Sequence, residues 1–586
     1  MRSVFFVAQA TWLTCSACAG LAVGCGSSRP SGASDASTPL TGLEAGTPYL
    51  TELAVSASSA LTLVPSFSPT VYDYYVVCAA GTNALSVSMT ASSGAESAIL
   101  APTKSTSRSE QTVSVDVDEN QAIVAVATHG TKAQEYWVRC LPHDFPKLQL
   151  QPHPDAGNPT PGYYLIGNMT VPTGEGGYAM VMDGNGVPVW YYREPNGVGV
   201  YNVESIVSGT ISFIPSPRVN PYEVHRLSPL ETTYVLSEGA ATDEHELQAL
   251  PNGDYLTLRS ATQTGIDLTG LTLPLANGGT QSFGPNGSIV GCGIQEVDAS
   301  GNLVWQWEAT DHFDSVKDIS YLSPALIEGG VSVVEPFHCN SIEVDASGNL
   351  LVSSRNMDSI FYIEKSTSKV LWKMGGKTYT KDGATYVPVA DPFYRQHDAR
   401  FPNGWTSTCS GGSGQVTVFD DETSEPGPAR GVVYDVTVAG RNDGTAACKS
   451  LGDGGTSGAT VAWQYQGPSS IPATGSFRVL ADGSHTIGWG TSGGFIFTEA
   501  DAKGNDLLDL YFADGSSSYR AIKVPLTAFD LNVLRTTVGV TPTVGSSDAG
   551  AMDGGRDGNA GIDAGAGDAA STDGGAGDSG DDGSGG

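Results

Sequence analysis

His245, His338 and His397 stand at nearly one register of a recurring pattern. His245 lies eight residues before Gly253 in HELQALPNG, His338 ten before Gly348 in HCNSIEVDASG, and His397 seven before Gly404 in HDARFPNG. Each imidazole therefore leads a strand into a glycine turn. A single strand-end histidine ordinarily makes a local hydrogen bond and nothing more. Three of the chain's nine histidines in phase point instead to a shared pocket. An imidazole that is neutral near pH 7 is a nucleophile without a separate base, whereas a lysine is mostly protonated. Asn340 follows His338 by two residues and Arg355 closes the next strand, adding an amide and a planar donor fork suited to an oxyanion. Three neutral imidazoles are also a normal ligand set for zinc or iron, so a metal site is a competing reading.

Residues so far apart meet only if a repeated architecture gathers them. From about residue 160 to 543 two segment types recur. One is a hairpin with a polar turn, as in LQALPNGDYLTL, IEVDASGNLLVSS and FRVLADGSHTIGW. The other ends in Trp, as in MDGNGVPVWYY, VDASGNLVWQW, IEKSTSKVLWKM and TVAWQYQ. Asn-Gly, Ser-Gly and Asp-Gly supply the positive φ angles of such turns. Strand–turn–strand units over nearly 400 residues predict an all-β fold, a six-bladed β-propeller over 145–543, with an array of β-sandwiches as the alternative. The propeller's innermost strands would line a central channel and bring the three histidines to its mouth. Trp305, Trp307 and Trp372 are expected in blade cores. Residues 47–141 read as a separate small β-sandwich, with Val71–Cys78 alternating as a half-buried strand.

Composition narrows the function. A net charge of −33 argues against nucleic acid, which needs a basic surface. From Ser546 onward the chain holds nine Asp, one Arg and almost nothing apolar, so 544–586 is expected to be a disordered acidic tail. The start, MRSVFFVAQATWLTCSACAGLAVGCGSS, has an Arg before an apolar run ending in small residues, as in an export signal. Leu21–Cys25 resembles a bacterial lipobox. That predicts a signal over 1–25, lipidation at Cys25, a flexible tether over 26–46, and a membrane-anchored lipoprotein, periplasmic or on the outer membrane. Six cysteines lie beyond the signal: Cys78, Cys140, Cys292, Cys339, Cys409 and Cys448. Cys78 and Cys140 each end a strand of the small unit and are expected to pair; the other four pairings stay open. Gly375-Gly376-Lys377-Thr378 lacks the first P-loop glycine, and Asp298–Asn302 and Asp345–Asn349 lack the acidic ligands of calcium loops and read as turns.

Several segments together resemble the bacterial arylsulfate sulfotransferases: H-x-N-S-I at His338 with the S-x-R strand ending in Arg355, L-W-K-M-G-G at 371–376, Q-H-D-A-R at 396–400, and F-D-D at 419–421. So do WQWEATDHF at 305–313 and YRAIK at 519–523. The resemblance implies a six-bladed propeller that moves sulfuryl from a phenolic sulfate donor to a phenolic acceptor, with no cofactor, metal or nucleotide sulfate. It implies His397 as the nucleophile, transiently sulfurylated. It implies His338, His245, Arg355 and Asn340 as sulfate-binding groups, with Arg520 and Lys523 competing for a late basic position. Residues 47–141 resemble the cadherin-like sandwich repeats of bacterial surface proteins. A non-catalytic, surface-anchored binding or adhesion protein is therefore the alternative.

Overall fold

The computed structural model describes residues 46–215, 220–275, 278–328, 330–408, 411–439, 456–540 and 543–544. The expected export signal with Cys25, nearly all of the tether and of the acidic tail, and Cys409 and Cys448 lie outside these residues. Among the described residues no helix is long and apolar enough to cross a membrane.

Residues 50–141 form a three-stranded sheet (Leu50–Ser56, Thr82–Ala91, Glu110–Asp118) and a four-stranded sheet (Asp73–Val77, Lys132–Leu141, Ala122–His129, Glu96–Ala101). Leu50, Leu53 and Val55 share one buried face with Tyr74, Val76, Leu85, Val87 and Tyr136. The Tyr74 hydroxyl donates to the Ser68 and Val71 carbonyls, so its polar tip is satisfied inside this core. Asp73–Val77 runs parallel to Lys132–Leu141, with Val76 opposite Cys140, and the expected Cys78–Cys140 disulfide is formed. The expected alternation fails at Tyr75, which is buried like its neighbours on both sides. Its ring enters a second cluster with Leu141, Phe145, Tyr163 and Tyr178, so that face of the strand meets the rest of the chain rather than water. The contact is reinforced by Arg535, on the helix Leu531–Thr537, paired to Asp73 at 2.5 Å. Arg139 also donates to the Arg535 carbonyl at 2.6 Å.

From residue 148 onward, six sheets of four or five strands follow one another. Their inner strands are Ala521–Pro525, Val200–Glu204, Ala241–Ala249, Cys339–Val344, His397–Arg400 and Ser476–Val479. Each of these strands packs on the next around the series, and Ser476–Val479 packs back on Ala521–Pro525. The circuit is closed, an arrangement of β-propeller type. Closure is double. Ala521–Pro525, late in the chain, is the inner edge of the first sheet, while Leu148–Pro152, early in the chain, is the outer edge of the last.

The recurrent sequence signals explain the sheets locally. Gly253, Gly348 and Gly404 all take positive φ in their turns (93°, 81° and 77°). The Asp298 carboxylate accepts the Ser300 and Asn302 N–H groups at 2.8 and 2.9 Å, and Asp345 does the same for Ser347 and Asn349. These aspartates hold turns, as expected. The tryptophans join neighbouring sheets: Trp372 stacks on Tyr362 and contacts Trp405, and Trp463 stacks on Phe477 and His485. Trp307 packs against Phe361, whereas Trp305 is only partly buried beneath Lys365.

At the axis the inner strands meet through charge. Arg520 bonds Glu204 at 2.9 Å and Glu246 at 3.3 Å. Arg400 bonds Glu246 at 2.6 Å and Asp398 at 2.8 Å, and Arg478 bonds Asp398 at 2.8 Å and Glu204 at 3.4 Å. Three guanidinium groups thus balance three carboxylates from five of the sheets. The fourth sheet joins through Glu343, whose carboxylate lies 3.6 Å from Arg400, and through its backbone: the Asn340 carbonyl accepts from Arg520 at 2.8 Å, and the Ile342 N–H donates to Glu246 at 3.3 Å. Burial pushes the Asp398 and Glu246 carboxyls up, but the surrounding arginines win and hold both below the usual carboxylate range. Removing one partner leaves uncompensated charge in a dry interior. Arg520→Met should therefore cost about 3–5 kcal/mol in chemical denaturation. The exposed Arg226→Met should stay within about 0.5 kcal/mol.

Candidate active site

Four of the six inner strands carry a slip in pairing at one place: between Tyr201 and Glu204, Thr242 and Leu247, Cys339 and Ser341, and His397 and Arg400. Such bulges re-aim side chains that strict alternation would send into the sheet stack. Three of them carry the histidines or their immediate neighbours. Backbone strain gathers here too. His338, Asp398, Asn202, Asp358 and Arg395 all sit in the left-handed region, at φ between 48° and 57°.

His245, His338 and His397 come together. The His245 and His338 ring centroids are 4.9 Å apart, and those of His338 and His397 are 6.4 Å apart. One ring nitrogen from each lies within 4.8 Å of the others. Each Nδ1 faces a carboxylate: Asp243 for His245 at 2.5 Å, Glu335 for His338 at 2.9 Å, and Asp421 for His397 at 3.1 Å. An Nδ1–H donated to a carboxylate fixes the tautomer in which Nε2 keeps its lone pair. The Nε2 atoms of His338 and His397 are buried with no hydrogen-bond partner, as is Nε of Arg355. Buried polar atoms left unmatched are costly, and they mark where a ligand's atoms would be received.

Arg355 is held in place by its other nitrogens. Nη2 donates to the Pro472 carbonyl at 2.9 Å and Nη1 to Asn356 at 3.2 Å, and the Tyr321 ring lies 5.3 Å from the guanidinium. His397 is pushed well below the ordinary imidazole value, first by burial and then by the positive field of Arg355, with His338, His245 and Arg520 adding to it. It is thus neutral at pH 7, with its free electron pair on Nε2.

The remaining sequence candidates divide. The Asn340 amide N–H donates to the Gln396 carbonyl at 2.7 Å, and the buried, unmatched atom is Oδ1. Asn340 therefore presents its second N–H and an unmatched oxygen, and the bond to Gln396 holds the amide in place. Arg520 lies in the axial ionic network and acts on His397 through its field. Lys523 does not join: both Glu499 oxygens hold its ammonium, at 2.7 and 2.9 Å, beneath the Tyr164 ring. Cys292 and Cys339 form a second disulfide, directly beside His338. Sequence reasoning missed the three carboxylates. Asp243 and Glu335 stand two and three residues before their histidines, and Asp421 lies within the F-D-D motif, so a search for acids near each histidine would have found them. It also passed over Tyr519, whose ring is 5.6 Å from His245 and whose buried hydroxyl has no partner.

Residues 226–512 match the model of the arylsulfotransferase (ASST) family, and this segment of the chain belongs to that family. No curated protein matches the chain. Among solved structures, a protein of unknown function from Bacteroides caccae is similar over 62% of this chain and 99% of its own, at 11% identity and a TM-score of 0.33. A quinonprotein alcohol dehydrogenase-like protein from Bacteroides thetaiotaomicron is similar over 79% and 98%, at 9% identity and 0.26. The Pan2 WD40 domain of Neurospora crassa is similar over 69% and 89%, at 10% identity and 0.26.

The depressed His397 value has a thermodynamic signature. The unfolded imidazole takes up a proton near pH 6.5 while the folded one resists it, so stability falls as pH drops below that value. His397→Gln lacks this term. Between pH 6 and pH 5 the wild type should lose up to about 1.4 kcal/mol per pH unit more than the variant, measured by urea unfolding.

Proposed function

We propose that this protein is an arylsulfate sulfotransferase that transfers sulfuryl between phenols through a sulfo-histidine at His397, on a six-bladed propeller formed by the six sheets. Membership of the arylsulfotransferase family supports the activity class. The observation that carries the mechanism is the unmatched Nε2 of a neutral His397, beside the unmatched Nε of Arg355 and Nε2 of His338. In the first half-reaction His397 Nε2 attacks sulfur, the S–O bond to the aryl group breaks, and the phenolate leaves with that electron pair. Arg355 neutralises charge on the non-bridging oxygens, as positioning and electrostatics do in phosphoryl transfer. Asp421 accepts Nδ1–H and stabilises the cationic sulfo-imidazole. In the second half-reaction an acceptor phenol attacks sulfur, the N–S bond breaks, and the phenolic proton passes to His245 or His338. A phenol's pKa near 10 lets it leave with little protonation, which favours aryl over alkyl donors.

Purified protein given 4-nitrophenyl sulfate and phenol should release nitrophenolate in a phenol-dependent way. His397→Ala should abolish release, and Arg355→Lys should lower kcat by about 10²-fold or more, through loss of a planar donor. Donor alone should leave a sulfuryl adduct on the His397 peptide, detected by mass spectrometry. Equal turnover by His397→Ala and wild type would defeat the mechanism.

A second reading rests on the same convergence. Three imidazole nitrogens, each backed by a carboxylate, match the ligand and outer-sphere pattern of a three-histidine metal centre. The fields of Arg355 and Arg520 oppose a cation there. Stoichiometric metal lost together with His397 would favour it. We further propose that residues 47–141 are a sandwich domain that spaces the propeller from a lipid anchor at Cys25 on an exported chain. Radiolabelled palmitate should enter the protein expressed in a Gram-negative host, and Cys25→Ala should remove the label and release the protein from membranes.

A further inference from the structure

His153, Asp506 and Asp509 bring an imidazole nitrogen and two carboxylate oxygens within 4.8 Å of one another, remote in sequence from the axial histidines. We propose that these three side chains form a site for a first-row divalent cation, zinc foremost, that clasps the seam where the ring of sheets closes. His153 directly follows Leu148–Pro152, the strand that enters from the N-terminal side to edge the last sheet. Asp506 and Asp509 belong to its neighbour, Asp506–Phe512. The metal would therefore bridge parts of the chain more than 350 residues apart, at one of its two closures.

The local geometry is specific. Residues three apart on a regular strand point to opposite faces. Here the pairing slips between Glu499–Leu508 and Ala500–Asp506, and the bulge at Leu507 allows Asp506 and Asp509 to reach the same point. The Leu507 carbonyl accepts the His153 N–H at 3.0 Å and sets the imidazole beside them, with Nε2 2.8 Å from Asp509 Oδ2. Each carboxylate has one oxygen oriented by a hydroxyl: Tyr465 donates to Asp506 Oδ1 at 2.6 Å, and Thr498 to Asp509 Oδ1 at 2.7 Å. Such outer hydrogen bonds orient carboxylates that ligate metals.

A cavity of about 710 Å³ opens beside the cluster, with His153, Asp155, Tyr465, Asn505 and Asp506 in its walls, and it has room for water ligands. No lysine or arginine stands among the described residues lining it, so the local field favours a cation. One imidazole with carboxylates suits zinc or manganese better than calcium, which takes oxygen alone.

The test is titration of chelator-treated protein with zinc chloride, followed by calorimetry and thermal unfolding. The three axial imidazoles are another taker for zinc, so the parent chain for the test carries His397→Ala. That chain should bind one zinc and gain a few degrees in Tm at a hundredfold excess over Kd. Adding His153→Ala or Asp506→Asn should weaken binding at least tenfold and remove the gain, and Tyr465→Phe should weaken it about 10–100-fold. His153 is partly exposed, and far-UV circular dichroism checks that its variant folds. An unchanged Tm gain in His153→Ala, or no zinc bound by the parent, would reduce the cluster to a plain ion pair and overturn the proposal.

Discussion

The structure depends on charge pairing at the axis. Arg400, Arg478 and Arg520 face Glu204, Glu246 and Asp398, all but the partly exposed Arg478 buried, each guanidinium shared between two or more carboxylates. Desolvating any one of these ions alone would cost several kcal/mol, so the five buried members must be buried together or not at all. That requirement couples the sheets in addition to their apolar packing. All six sheets contribute a side chain, the fourth through Glu343 beside Arg400, and the fourth adds the Asn340 carbonyl and both backbone groups of Ile342. It also fixes the depth of the inner strands along the axis, because guanidinium and carboxylate planes tolerate little displacement.

The histidine cluster repeats this logic at smaller scale. Each imidazole is paired with one carboxylate through Nδ1, which sets its tautomer and ring orientation. The pairing leaves electron-rich Nε2 atoms to converge, while burial and Arg355 keep His397 unprotonated. In the proposed mechanism nucleophile and anion receptor are one arrangement. Arg355, proposed to receive the sulfate oxygens, is also one of the groups that keep His397 unprotonated. The inner-strand bulges and left-handed residues carry the local cost of this geometry, and the lattice and aromatic seams offset it.

Much of this was legible. The phase of His245, His338 and His397 against their turn glycines located the cluster, since rotational repetition converts register in sequence into position around an axis. Cys78 and Cys140 were legible because both end strands of a small unit. Trp372 was legible because a Trp a few residues past a polar turn is placed to cover neighbouring strands. Lys523 was less legible: it and Arg520 are both basic and three residues apart, and only the position of Glu499 decides that the lysine is taken. Asn340 was legible as an amide near the cluster, but the Gln396 carbonyl that takes one of its two N–H groups lies on the neighbouring sheet and could not be read. Tyr75 was misjudged because alternation reports which residues are apolar, not whether the second face meets water or another core.

The sequence by itself determined the β character, the turn positions, the repeat and the identity of the three imidazoles and Arg355, since these follow from local φ preferences and spacing along one chain. Only the tertiary structure decided which carboxylate each imidazole holds, that Cys292 bonds Cys339, which basic residue reaches the axis, and that Asp506 and Asp509 face His153. Those outcomes turn on partners brought from other sheets and on single-residue slips in pairing. A shift of one residue reverses the face a side chain presents, and nothing in local sequence energetics records it strongly enough to be read beforehand.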